Sequence, residues 1–272
     1  MNQTAGIENS PVPSTVYGPV DSWRMGRSLG IDILFTDSIC SFRCVYCQLG
    51  KIQNATRERK VWVPTARILS DLENSDWASA DVITFSGSGE PTLALNLGEA
   101  IRLVRQKTGK PIAVLTNSTL LIDPSVRANL LAADKVFCKL DAAEESTLQM
   151  IDRPVDGINL TSIVEGIKAL RAEYAGFLAI QSMWMPANLK DLQAFAKLIN
   201  EIGPDEVQLN TPTRPVPREW FLAARGNYGP HDAPYDAVPL RHLNREEAID
   251  LGEALQALTP VPIRSVFKPE ES

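Results

Sequence analysis

Ile31-Asp-Ile-Leu-Phe-Thr-Asp-Ser-Ile-Cys40-Ser-Phe-Arg-Cys44-Val-Tyr-Cys47 is the stretch on which the reading of this chain turns. Its first six residues, rich in branched and aromatic side chains, predict a buried strand over 31–36 (IDILFT), and Asp37-Ser38 marks the turn that ends it. A loop follows that carries three thiols in the spacing CxxxCxxC. Three thiolates so placed can each bind one iron of a cubane and leave a fourth iron without a protein ligand. A structural zinc site wants four closed ligands, and a ferredoxin cluster wants four cysteines. The chain has four cysteines in all. The fourth, Cys138, falls on a predicted strand whose alternation groups it with Val136 and Leu140 on an apolar face, away from Lys139 and Asp141. Cysteines crowded into one short loop make a poor disulfide framework and point to a reducing compartment.

Outward from that loop, short apolar runs alternate with segments of helical period, the pattern of a parallel sheet with crossover helices. Further strands are predicted at 81–86, 111–116, 134–141, 177–184 and 205–210. Between them lie amphipathic helices, for instance the one presenting Leu160, Ile163, Val164, Ile167 and Leu170. Another presents Leu189, Leu192, Phe195, Ala196 and Ile199, with Asn188 as its N-cap and Asp191 in its first turn. Six strand–helix units predict an α/β fold, a partial (β/α)6 TIM-type barrel over 31–210. Residues 1–30 read as an irregular N-terminal arm. Residues 211–272 read as an extension, in which six prolines between 211 and 240 forbid regular structure and predict a long loop over the barrel mouth. A final helix at 244–258 is capped by Asn244 and presents Leu251, Leu255 and Leu258.

The composition fits a single main domain: 272 residues, 44% of them hydrophobic, with a formal charge of -6. That charge excludes an overall basic field of the kind that drives non-specific nucleic-acid binding. No stretch of roughly 18 apolar residues and no charged n-region followed by an apolar run occurs, so a soluble, cytoplasmic protein without a membrane partner is expected.

At the predicted barrel mouth, the second strand ends in Ser86-Gly87-Ser88-Gly89-Glu90-Pro91-Thr92. Glycines there let the backbone approach a ligand, and carbonyls together with Glu90 can accept hydrogen bonds from an ammonium group. A phosphate-cradling loop would carry a Lys-Ser/Thr pair and no carboxylate. Other polar residues at strand ends are Thr116, Asn117, Lys139, Asp141, Gln181, Ser182, Asn210 and Arg214. An inward Lys139 is costly unless paired; Asp141 is its expected partner, and a substrate contact or a Schiff-base amine is the alternative. His231 and His242 read as solvated. The basic stretch Lys51 to Lys60 reads as a solvated loop or as a site for an anionic substrate.

The cysteine motif resembles that of the radical S-adenosylmethionine superfamily. Tyr17-Gly-Pro-Val-Asp-Ser-Trp-Arg-Met-Gly-Arg-Ser-Leu-Gly30, Cys47-Gln-Leu-Gly50, Ser86 to Thr92, Leu140-Asp-Ala142, Asp152-Arg-Pro154 and Leu209-Asn-Thr-Pro-Thr-Arg214 are similar to the branch containing the tRNA wyosine-base synthases. The resemblance implies a 4Fe-4S cluster on Cys40, Cys44 and Cys47. It implies S-adenosylmethionine on the open iron and on the loop Ser86, Gly87, Ser88, Gly89, Glu90 and Pro91. It further implies Asn117, Asp141 and Gln181 near the ribose or methionine carboxylate, the backbone of Tyr46 near the adenine, and a one-electron reductant such as flavodoxin or ferredoxin as partner. Lys139 is the candidate catalytic side chain. The expected substrate is an RNA base or another anionic small molecule. A radical activase acting on a partner protein or peptide, and a non-catalytic iron-sulfur or zinc protein, stand as alternatives. Archaeal members of that branch carry extra cysteines ahead of the motif, and residues 1–39 contain none.

Overall fold

The computed structural model describes residues 13–35, 37–226 and 232–267. In chain order the strands are β1 (Val16–Ser22), β2 (Gly26–Ile31), β3 (Ile39–Cys40), β4 (Asn54–Ala55), β5 (Val82–Phe85), β6 (Ile112–Thr116), β7 (Lys135–Lys139), β8 (Phe177–Met183), β9 (Glu206–Asn210), β10 (Val216–Pro217), β11 (Ala237–Val238) and β12 (Ile263–Ser265). The helices are α1 (Thr65–Glu73), α2 (Leu97–Thr108), α3 (Pro124–Leu130), α4 (Glu145–Ile151), α5 (Leu160–Glu173), α6 (Leu192–Ile202) and α7 (Arg245–Gln256). One eight-stranded sheet runs β1-β2-β5-β6-β7-β8-β9-β12. Every pairing in it is parallel except that of the edge strand β1 with β2. This is the partial TIM-type barrel the alternating pattern predicts.

Alternation along each strand sorts the side chains. Outward-facing Leu29, Ile83, Val114, Val136, Cys138, Ile180 and Val207 join the helix faces in one core, each fully buried aliphatic side chain contributing about 1.5–3 kcal/mol. Cys138 lies there with Val136 and Leu140, as its strand pattern requires. The inner face is closed at one end by a small cluster of Val82, Ala113, Phe137 and Ala179, with Met25, Leu115 and Phe177 against it. Beyond that plug the inward residues turn polar, with Ser28, Thr84, Lys139, Gln181 and Gln208 lining a cavity. A barrel interior that is not filled with Val, Ile and Leu is a binding space.

Several expectations are corrected. The run 31–36 is not the first barrel strand: β2 ends at Ile31, and the Asp32 carboxylate accepts from Leu34 N (3.1 Å) and Phe35 N (3.2 Å), folding the chain into a buried turn. Thr36 lies outside the described residues. The supposed irregular arm instead contains a hairpin, β1 and β2, which supplies both an antiparallel edge and the first parallel strand; residues 1–12 lie outside the described residues. A seventh parallel strand, β12, comes from the C-terminal extension. Asn188 caps no helix. Its side-chain amide donates to the carbonyls of Asp141 (2.8 Å) and Met183 (3.0 Å), tying β8 to the loop after β7. Asn244 does cap α7, in a reciprocal box with Glu247. Among its described residues the proline-rich segment forms only a two-residue ladder, β10 with β11, and a 3-10 turn at Leu222–Gly226.

Candidate active site

The cysteine loop leaves the sheet after Asp32 and is pinned on two sides. Ile39 N donates to Ser88 O (2.7 Å) and Glu90 N to Ile39 O (3.0 Å), so the short strand β3 bridges directly to the glycine-rich loop. Gly89, at φ 146°, permits this: a Cβ there would overlap the Ile39 carbonyl oxygen. On the far side, Arg43 N and Val45 N donate to the carbonyls of Asp152 and Ile151, both at 2.9 Å. Cys40, Cys44 and Cys47 are all free thiols. Cys40 Sγ accepts from Phe42 N (3.4 Å) and Asn117 Nδ2 (3.6 Å), whereas Cys44 Sγ donates to Asp152 Oδ1 (3.4 Å). Burial raises all three thiols above the ordinary range, with Glu90 adding to the effect at Cys40 and Asp152 at Cys44. Three free thiols on one short, doubly anchored loop are the donor set a site-open cubane needs. A bound cluster would supply the positive charge that lets them ionise.

The glycine-rich loop is held from beneath by two buried carboxylates. Asp32 Oδ2 accepts from Ser88 N (3.0 Å) and Ser88 Oγ (2.6 Å), and a Cβ on Gly87 would stand 2.5 Å from its Cγ. Glu90 accepts from the backbone and hydroxyl of Thr92, the hydroxyl of Thr116 and the backbone of Asn117. Glu90 is 2% exposed and absent from the cavity wall, so its carboxylate shapes the loop rather than facing an ammonium. Ser86, Gly87 and Gly89 do line the cavity. Tyr17, packed over Gly30, completes this wall through a 2.8 Å hydrogen bond between its hydroxyl and Ser86 Oγ.

The cavity measures about 380 Å³ and is also lined by Cys40, Cys47, Tyr46, Lys139 and Gln181. Ser88, Pro91, Asn117, Asp141 and Cys44 stand behind the wall. Asn117 spends its amide on Ser41 Oγ (2.8 Å) and Cys40 and its carbonyl on Thr119, which makes it a positioning residue for the cysteine loop. Asp141 accepts from the Tyr46 hydroxyl, Met183 N (2.7 Å) and Lys139 Nζ (3.0 Å). Lys139 therefore has the expected partner, and its ammonium also lies 4.9 Å from the centre of the Tyr46 ring. Asp152 joins this network through the Tyr46 hydroxyl (3.1 Å). Burial and then the neighbouring Asp141 drive its carboxyl well up, against the pull of Lys139. Gln181 Nε2 donates to Gln208 Oε1 (3.1 Å), and Gln208 Nε2 donates to Glu206 Oε1 (2.7 Å).

Sequence reasoning missed Asp32, Gln208 and the hairpin-turn residues Trp23 and Arg24, which reach the cavity from the N-terminal end of β2. Gln208 carried a signal, being polar at an inward position of a predicted strand; Trp23 and Arg24 fall within the family-like stretch Tyr17 to Gly30, which nonetheless reads as an irregular arm. The basic stretch does not line the cavity, apart from the apolar Ile52. Its Arg59 donates to Thr92 O (3.0 Å) and Ser125, Lys60 covers the Trp62 ring at 3.9 Å, and Arg57 donates to Gly157 O (3.4 Å). His242 is exposed, as expected; His231 lies outside the described residues. No helix among the described residues is long and apolar enough to cross a membrane.

Residues 36–199 match the model of the Radical SAM superfamily, and the chain belongs to that superfamily. The UPF0026 protein of Synechocystis sp. is 46% identical over 251 residues, covering 92% of each chain. Among solved structures, TYW1 with a lysine-pyruvate adduct bound aligns with a TM-score of 0.61 at 14% identity, over 87% of this chain and 76% of that one. Native anSMEcpe with bound AdoMet aligns with a TM-score of 0.58 at 18% identity, over 86% and 63%. These likenesses carry the fold; they do not assign a substrate.

Proposed function

We propose that this protein is a radical enzyme that holds a 4Fe-4S cluster on Cys40, Cys44 and Cys47, cleaves S-adenosylmethionine reductively, and abstracts hydrogen from a substrate bound in the barrel. The observation that carries the reading is the bridge between Ile39 and Gly89, which brings the cysteine loop and the glycine-rich loop to one cavity. When bound, the cluster supplies one electron to the cofactor's sulfonium, an external flavodoxin or ferredoxin having reduced it. The chain's own residues position and shield. The backbone at Ser86, Gly87 and Gly89 receives the methionine ammonium, with Asp32 and Glu90 fixing its shape from behind. Tyr46, held by Asp141 and Asp152, forms the wall beside the third cysteine, where the adenine would stack. Gln181 offers an amide to the ribose. Lys139, one N–H spent on Asp141, keeps the others for the substrate, and the plug around Phe137 closes the interior to water.

The test is anaerobic reconstitution with iron and sulfide, then dithionite and S-adenosylmethionine, with 5'-deoxyadenosine as readout. Cys44→Ala is expected to abolish the product and Cys138→Ala to leave it. No product from a correctly assembled cluster overturns the reading.

A further inference from the structure

We infer that Arg43, Arg57 and Arg153 form a docking surface, outside the cavity and against the cysteine loop, for an acidic protein that delivers one electron. The surface rests on the radical reading for its purpose, but whether it binds such a partner is a separate question.

All three residues are exposed, and all three side chains are held on one stretch, residues 150–157 at and after the end of α4. The Arg43 guanidinium donates to the carbonyls of Arg153 and Pro154, both at 3.5 Å. Arg57 donates to Gly157 O (3.4 Å), and Arg153 Nε donates to Met150 O (3.4 Å). The same stretch anchors the cysteine loop, taking the Arg43 and Val45 amides and giving the Val155 amide to Ser41 O (3.0 Å). Arg43 directly precedes Cys44, and Arg153 directly follows Asp152, which accepts from the Cys44 thiol. Beside Arg57, Thr56 N donates to Cys40 O (3.0 Å). Neither the three arginines nor the half-buried Cys44 lines the cavity.

Bonds to carbonyls aim these groups but neutralise none of them. Arg59, Arg67, Arg105, Arg127, Arg171 and Arg264 each have a carboxylate within 4.0 Å, whereas among the described residues Arg43, Arg57 and Arg153 form no ion pair. Glu58 and Asp156 are exposed neighbours in sequence, yet neither comes within that distance of the three. In a chain of net charge -6, a group of unpaired arginines steers an acidic partner to this one face. Met150, 45% exposed among them, adds the apolar contact that Arg- and Met-enriched interfaces use, and a small patch suits a carrier that must leave again. Electron transfer weakens steeply with distance, so the carrier belongs on the side of the cysteine loop that cofactor and substrate leave open. One electron passes from the carrier's reduced flavin to the oxidised cluster; no bond forms or breaks, and no atom moves between the proteins. A nucleic acid acting as substrate would have to reach the cavity, which none of these arginines lines.

The experiment titrates the reconstituted holoenzyme into a fluorescently labelled acidic flavodoxin and follows anisotropy as salt is raised. Saturable binding is expected, weakening about tenfold or more between about 0.05 and 0.5 M salt. Replacing all three residues together, Arg43→Gln, Arg57→Gln and Arg153→Gln, should weaken it about tenfold, the equivalent of about 1.4 kcal/mol. The corresponding triple lysine variant keeps the charge and should bind within about twofold of the unsubstituted protein. Arg102→Gln, exposed on α2, should change nothing. If the triple glutamine variant takes up no iron, Arg57→Gln alone serves, with a loss of about twofold. The yield of 5'-deoxyadenosine with reduced flavodoxin as donor, divided by the yield with dithionite, should fall in the glutamine variant, because dithionite needs no docking surface. No saturable binding, binding indifferent to salt or to the glutamine substitutions, or an unchanged yield ratio would overturn the assignment. So would a single-stranded RNA that binds through the same arginines where flavodoxin does not, which would make the surface a nucleic-acid site. No 5'-deoxyadenosine from the unsubstituted enzyme with dithionite would sink the radical reading, leaving the anisotropy result to stand or fall alone.

Discussion

Single residues decide whether the two loops of the site can meet. Gly89 is the tightest case, since any side chain there runs into the Ile39 carbonyl and φ is in a region that L-residues avoid. Gly89→Ala is expected to lower unfolding stability by about 2–3 kcal/mol in urea titration and to reduce iron uptake on reconstitution. Gly109 gives the contrast, being also at positive φ but with open space where a Cβ would stand: Gly109→Ala should cost only about 1 kcal/mol and leave iron uptake unchanged. The three cysteines were legible because their spacing is local. So was the placement of Cys138, because alternation along one strand settles it. Asp32 and Arg24 were not legible, since one acts on a loop 56 residues away through Ser88 and the other reaches the cavity only once the β1–β2 hairpin has formed.

Between elements, the hairpin that opens the sheet is fastened to α1 by one carboxylate. Asp71 Oδ2 accepts from Thr15 N and Thr15 Oγ1, each at 2.8 Å, and from Arg67 Nε at 3.2 Å. Burial would raise its pKa, but the two Thr15 donors and Arg67 outweigh that and hold it below the ordinary value. Because the folded pKa is depressed, the stabilisation is complete above the unfolded value of about 3.9 and is lost as pH falls through the folded one. Asp71→Asn should therefore destabilise by about 1–2 kcal/mol at neutral pH, and the gap in melting temperature between the two proteins should close as the pH falls below the unfolded value and through the depressed folded one. The misplaced first strand has a physical cause. Ile31, Ile33, Leu34 and Phe35 are all buried, and a buried apolar turn carries the same composition as a central strand. Strand β12 escaped notice because only three residues pair, just after Pro260 and Pro262.

Taken as one body, an acidic chain encloses a cavity lined by three cations against a single carboxylate, and the cysteine loop forms part of its wall. Three free thiols stand on one short loop, which a bound cluster would cross-link. Stripping the cluster with a chelator should lower the melting temperature and be reversed by reconstitution. The loss is expected to be several kcal/mol, as for other sites whose ligands are organised by the metal. Cys138→Ala, in the helix-facing core, should leave the difference between loaded and stripped protein intact, as scanning calorimetry of both forms would show.

The radical reading requires that a cluster held by Cys40, Cys44 and Cys47 have one iron without a protein thiolate. Electron paramagnetic resonance of the dithionite-reduced, reconstituted protein probes that iron, recorded before and after addition of S-adenosylmethionine alongside metal and sulfide analysis. About four irons and four sulfides per chain are expected, with a reduced-cluster signal that changes when the cofactor binds. An unchanged signal, or zinc in place of iron and sulfide, would contradict it.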